Sequence, residues 1–175
     1  MSSLLTFNER LENPASFDVT LTLPFELRQK SRLRVTLDDG REAGLVLSRG
    51  QVLRGGDCLR AEDGTVVRIK AAEEPVTTVT NEHADELARA AYHLGNRHVA
   101  LQVGEGWLRY LADHVLDEMV VSLGMIVKHE QASFEPESGA YHQDGHSHSH
   151  HHSHNHEHDH THDHSHDHDG HHHAH

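Results

Sequence analysis

The chain has 175 residues, with 28 acidic against 15 basic side chains, a formal net charge of -13 and a single cysteine. That acidity, with no basic stripe on any segment, argues against nucleic acid as a partner, and one cysteine excludes an internal disulfide framework or a thiolate-type zinc site. No apolar run approaches the roughly 20 residues that a membrane-spanning helix needs, and residues 1–10 show neither the charged start nor the apolar stretch of a secretory signal, so a cytoplasmic protein is expected.

Up to about Lys70 the hydrophobic pattern has a period of two. Phe17, Val19, Leu21 and Leu23 alternate with polar residues, as do Leu33, Val35 and Leu37, then Leu45 and Leu47, while Thr65 to Lys70 is β-branched and extended. Turn-forming groups separate these strands: Asp38-Asp39-Gly40, Arg49-Gly50, Gly55-Gly56-Asp57 and Glu62-Asp63-Gly64. No helical stripe interrupts them. The pattern predicts an all-β domain over residues 1–72, a sandwich or short barrel of marginal size to stand alone. Cys58, beside Leu59, is expected as a small core residue.

Residues 71–75, Ala-Ala-Glu-Glu-Pro, read as a linker, and beyond them the period changes. Val76 to Thr80 is expected as a strand. Asn81 suits the N-cap of a helix with an apolar stripe of Ala84, Leu87, Ala88, Ala91 and Leu94, closed by Gly95. His98 to Val103 and Trp107 to Leu111 read as two strands joined by Gly104-Glu105-Gly106. Asp113 caps a second helix with Val115, Leu116, Met119, Val120 and Leu123 inward, ended by Gly124, and Met125 to Lys128 is a short last strand. The order β-α-β-β-α-β over residues 76–130 is that of the ferredoxin-like fold, making the whole α+β. Order is expected to fade from Glu130 through Pro136 and Gly139. A sheet this small usually needs its open face or edge covered, and a symmetric dimer is one way to do so.

Residues 141–175 have another composition altogether. They hold 18 of the 23 histidines, interleaved with Ser, Asp, Asn and Gly, and nothing apolar enough to build a core. This tail is expected to be disordered and to bind metal: neutral imidazole suits Ni, Cu, Zn and Co. In an extended backbone, residues i and i+2 lie on one side about 6–7 Å apart, so a pair such as His146 and His148 can share one ion, and a flexible chain can fold back to add further donors. Asp residues between them offset the metal's charge. Many similar, exchangeable sites suit collection and hand-over better than catalysis, which needs a few rigid ligands and a defined open position. An affinity tag, an inert polar tail and a pH-responsive tail are the competing readings.

Two segments of the C-terminal half, Ala91-Tyr92-His93-Leu94-Gly95-Asn96-Arg97-His98-Val99 and Asp113-His114-Val115-Leu116-Asp117, resemble the signature of the UreE family, nickel metallochaperones of urease maturation. In the N-terminal half Leu27-Arg28-Gln29-Lys30-Ser31-Arg32-Leu33-Arg34, Arg49-Gly50 and Gly56-Asp57 resemble its β domain. The resemblance runs in order over nearly all of residues 1–128. It implies a cytoplasmic homodimer joined through its C-terminal domains. In that dimer a residue in the position of His98, one from each subunit, shares an ion near the two-fold axis. It also implies delivery to apo-urease through urease accessory proteins, including the accessory GTPase, and no enzyme activity. One departure stands out: where some members have a second histidine two residues before the position of His114, this chain has Ala112.

The candidate metal ligands are therefore His98 and His114, with His93 as a further candidate, and in the tail His146, His148, His150, His152, His154, His156, His158, His160, His162, His164, His166 and His168. Each folded-domain histidine has a bland alternative. His98 could be a solvated residue after a helix stop. His93 could simply face the negative end of its helix, and His114 sits at a helix start where imidazolium is disfavoured but Asp113 and Asp117 are near. His83 and His129 carry no supporting context. Catalysis has little to stand on: His93 and His98 are not an i, i+4 zinc-hydrolase pair, and no Gly-x-Ser-x-Gly turn or phosphate-cradling loop occurs. The expected cargo is Ni²⁺, with Zn²⁺ or Cu²⁺ also accepted by the same donors. The expected function is nickel delivery to apo-urease, with general Ni/Zn/Cu storage through the tail as the alternative.

Overall fold

The computed structural model describes residues 4–12 and 16–138, and the expectations for the tail, its twelve candidate ligands included, lie outside the described residues. The described residues form ten strands and three helices: β1 (Leu5–Leu11), β2 (Val19–Leu23), α1 (Phe25–Arg28), β3 (Arg32–Thr36), β4 (Glu42–Val46), β5 (Cys58–Ala61), β6 (Val66–Ala71), β7 (Glu73–Thr80), α2 (Ala84–Asn96), β8 (Gln102–Gly104), β9 (Trp107–Leu111), α3 (His114–Ser122) and β10 (Ile126–Ser133). The result is a two-domain architecture of mixed α+β content, mostly strands.

The first six strands make one sheet in the order β2-β6-β5-β1-β4-β3. Alternation puts Val19, Leu21, Leu23, Val35, Ala43, Leu45, Val67 and Ile69 into a single core around Phe7 and Leu59. Two features were not visible in the pattern. The sheet is mixed, because β1 runs parallel to β4 and β2 parallel to β6, and its two ends are bridged at the β3–β4 turn, where the Asp38 amide donates to the Thr20 carbonyl at 3.0 Å. The domain is also not purely β, since α1 interrupts it. Phe17, expected to point inward, lies 41% exposed, with the Arg68 guanidinium over its ring at 4.5 Å. Cys58 is fully buried, as expected.

The second sheet is antiparallel throughout, in the order β10-β7-β9-β8, with α2 and α3 supplying Leu87, Ala90, Leu94, Leu116 and Val120 to a core around Val79, Leu108 and Tyr110. Several boundaries differ from expectation. The supposed linker belongs to strands β6 and β7, with Ala72 alone between them. Asn81 does not cap α2. Its Oδ1 accepts from the His83 amide at 2.8 Å in a turn, and the helix starts three residues later. Leu87, Leu94, Leu116 and Val120 are buried as expected, but Ala90 rather than Ala88 joins them and Val115 is 48% exposed, because those two expected positions lie at the margin of each helix's inward stripe. Asp113 does cap α3, accepting from the Val115 and Leu116 amides. Gly104 is required in the β8–β9 hairpin, since a Cβ there would lie 2.0 Å from the Trp107 ring.

Order does not fade at Glu130. β10 continues to Ser133, and in the chain that follows Phe134 and Pro136 are buried while Glu137 and Ser138 are exposed. Phe134 is fully buried and meets Phe25 edge-on at 5.3 Å. Arg28, fully buried, donates to the carbonyls of Leu23 and Leu53 at 3.1 Å each, to the Phe134 carbonyl, and to Glu135 Oε1 at 2.8 Å. Burial pulls its guanidinium below the ordinary arginine value, and Glu135 opposes that shift. The Gly55 amide donates to the same carboxylate oxygen at 3.0 Å, and Arg54 reaches the Pro136 carbonyl at 2.6 Å. The stretch after β10 thus bonds the two domains together, and a buried cation that donates from all three of its nitrogens is what holds it.

Candidate metal centre

His98 occupies an unusual backbone position. Helix α2 ends at Asn96 with Arg97 as its C-cap, and His98 follows with φ +58°, the one non-glycine residue with positive φ among the described residues. Its amide donates to the Gly95 carbonyl at 2.9 Å and the Val99 amide donates to the Leu94 carbonyl at 3.4 Å. Those two bonds, with Val99 and Leu94 in the same apolar cluster, are the left-handed helix stop that normally takes glycine. The glycine the sequence offered, Gly95, lies one turn too early and stays inside the helix. His98 therefore opens no strand. It sits at the tip of a turn, exposed, while β8 begins only at Gln102. A residue with a Cβ costs about 1–2 kcal/mol in this conformation, so the turn presents the imidazole at some expense to stability.

The other candidates are separate from it. His93 is half-buried in the last turn of α2, its ring edge-on to Tyr92 at 5.4 Å. Tyr92 itself is 66% exposed. His114 is exposed at the first position of α3. Among the described residues no three metal-donor side chains are gathered into one site. A metal held by His98 would then need donors beyond the described side chains of one protomer to complete its shell.

His129, which nothing in the sequence singled out, is the best-organised imidazole of the folded part. Its Nε2 lies 2.7 Å from Asp117 Oδ2, and the buried Tyr110 hydroxyl donates to Asp117 Oδ1 at 2.8 Å. Burial works against the charge on Asp117, but the hydrogen bonds from His129 and Tyr110 outweigh it and hold the carboxyl below its ordinary value. Burial, reinforced by the same carboxylate, pushes the Tyr110 phenol far above its own, so Tyr110 stays a donor. On the other face of β10, Lys128 and Thr78 bond Glu130 and drive its carboxyl down to about 2. The signal for His129 was its place opposite Thr77, which in turn pairs with Tyr110; that row exists only once the strand register is known.

The fold and these surface imidazoles define a class: a two-domain, strand-rich protein that offers single histidines on rigid turns and strands. Residues 7–72 match the family described as UreE urease accessory protein, N-terminal domain, and residues 74–175 match UreE urease accessory protein, C-terminal domain. A protein of Alkalilimnicola ehrlichii named urease accessory protein UreE is 64% identical over 138 residues, covering 79% of this chain and 85% of that relative. One of Pseudomonas putida strain GB-1 with the same name is 53% identical over 148 residues, covering 83% of this chain and 90% of the relative. The chain belongs to the UreE urease accessory protein family. That family is one of accessory proteins by name rather than of catalysts, which implies a role in urease maturation. No helix among the described residues is long and apolar enough to cross a membrane.

Proposed function

We propose that this protein carries Ni²⁺ in the cytoplasm and delivers it to apo-urease during assembly of the urease active site. The tail, with His146 to His168 as its main donors, gathers ions at many weak sites and raises their local concentration. The C-terminal domain, whose antiparallel β10-β7-β9-β8 order supports a ferredoxin-like reading of residues 76–130, forms the homodimer. His98 from each protomer then shares one ion, with tail or neighbouring imidazoles, His93 among them, completing the shell. His114 is a secondary, weaker site, because Ala112 leaves it without a histidine two residues away. The N-terminal domain, residues 1–72, docks urease and its accessory proteins, the accessory GTPase included.

The observation that carries this reading is the exposed His98 imidazole in a backbone position where glycine would be relaxed. A symmetry axis turns one such residue into two and so makes a shared site from a lone ligand. Exposure and the lack of thiolates suit an ion that must be released again. Zn²⁺ and Cu²⁺ fit the same donors, so selection for nickel rests on partner docking.

The test is a nickel titration by calorimetry on the chain truncated after Gly139, beside its His98→Ala form. One tight ion per dimer, lost in the variant, is the expected result. If the truncated chain binds nothing tightly, the metal function belongs to the tail alone and the protein is a general Ni/Zn/Cu store. The truncated chain should remain dimeric by light scattering; a monomer would remove the assigned interface.

A further inference from the structure

The described residues contain five histidines, and His129 is the one among them whose ring is hydrogen-bonded. Its partner, Asp117, is fixed in turn by Tyr110, which has no exposed surface. An ionised carboxylate only accepts hydrogen bonds, so Nε2 of His129 carries the proton it shares with Asp117 Oδ2. The neutral ring then has its lone pair on Nδ1. The ring is 64% exposed, whereas the Asp117 side chain is 16% exposed. This is how proteins prepare a metal-binding imidazole: a carboxylate fixes the tautomer and the orientation of the ring.

The surroundings agree. Of the elements packed about this ring, α3 contributes Asp117 and, one turn earlier, His114, while β7 contributes the uncharged Thr77. The neighbouring cations, Lys128 and Arg109, are drawn to Glu130 on the opposite face of the sheet. β10 is an edge strand, so nothing in the sheet flanks His129 on its outer side.

We infer that His129 is a second metal-accepting site on the folded domain, taking a borderline divalent cation such as Ni²⁺ through Nδ1 while Asp117 and Tyr110 hold the ring. The inference rests on the nickel-carrier reading. One protein nitrogen makes the site weak, and its other donors are water or an imidazole already carrying the ion. That suits a transfer point between the many sites of the tail and a tighter final one.

The experiment uses the full chain, so its readout must be local. Ni²⁺ is paramagnetic, and amide signals near a bound ion broaden. The ¹⁵N-labelled protein is titrated with Ni²⁺ beyond the capacity of the tail and compared with His129→Gln, which can still donate to Asp117 and so preserves the local fold. Expected is loss of the Asp117, Lys128, His129 and Glu130 signals as well as those about His98, with His129→Gln restoring only the first group. Broadening confined to the residues about His98 would overturn the second site and leave the carrier reading standing. Broadening near Asp117 that survives in His129→Gln would assign the ion to Asp117 or His114 and also overturn it. Broadening of neither region would count against both readings.

Discussion

Replacing His98 by glycine and by alanine separates what the position costs from what it does. At φ +58° any residue with a Cβ loses about 1–2 kcal/mol relative to its relaxed conformation. Glycine escapes that cost but gains about 0.4–1 kcal/mol of chain freedom in the unfolded state. The net expectation is that His98→Gly is more stable than His98→Ala by about 1 kcal/mol, which for a chain of this size raises Tm by about 2–4 °C. Alanine keeps the strain and should stay within about 0.5 kcal/mol of the parent, since the side chain is exposed. Both variants should lose the tightest nickel step. The assay is guanidinium unfolding of chelator-treated protein at one protomer concentration, because dimerisation is expected to contribute to stability. If His98→Gly proves no more stable than His98→Ala, the backbone is not strained there, and the argument that the imidazole is kept at some expense fails.

Arg28→Met should destabilise strongly, because it leaves the carbonyls of Leu23, Leu53 and Phe134 and the Glu135 carboxylate without their buried donor. Since Glu135 is 27% exposed and recovers some hydration, the loss should fall near the low end of broken buried pairs, about 3 kcal/mol, and denaturant unfolding that moves by less than a third of that would show the seam to be dispensable. Asp38→Asn tests the bridge between the ends of the first sheet, where the carboxylate accepts from the Thr20 and Thr22 hydroxyls and the Thr22 amide. Partial burial opposes its charge, but these bonds hold Asp38 below its ordinary value. Its contribution is therefore present above about pH 4, the unfolded value, and is lost as pH falls through the lowered folded value. The stability gap between parent and variant should shrink on acidification over that interval; a gap that is constant with pH would mean the ionised form is not what matters.

Much of the architecture was legible along the chain because its signals are local. Alternation identified β2, β3 and β4, the β-branched run from Thr65 identified β6, the glycines at 40, 50, 56, 64, 106 and 124 marked turns, and each of the six has positive φ in the structure. Asp113 was legible as a cap because the bond it makes spans only two or three residues. β1 and β5 escaped notice since neither alternates cleanly: Leu5–Leu11 carries Asn8, Glu9 and Arg10 in a row, and Cys58–Ala61 has only four residues. The true end of α2 was misread for a related reason. Gly95 is the conventional stop, and only the packing of Val99 on Leu94 explains why the chain turns three residues later at a histidine.

Composition and local motifs by themselves determined the two-part β then β-α-β-β-α-β order, the histidine-rich segment and the family, because these depend on residue type and short spacing. What tertiary structure alone decided is which groups meet. Arg28 and Glu135 are 107 residues apart in sequence, and Asp117 comes within bonding distance of His129 only because β10 pairs with β7 in one register and α3 lies across that face. A shift of one residue would turn every β10 side chain to the opposite face and leave His129 as unremarked as it is in the sequence.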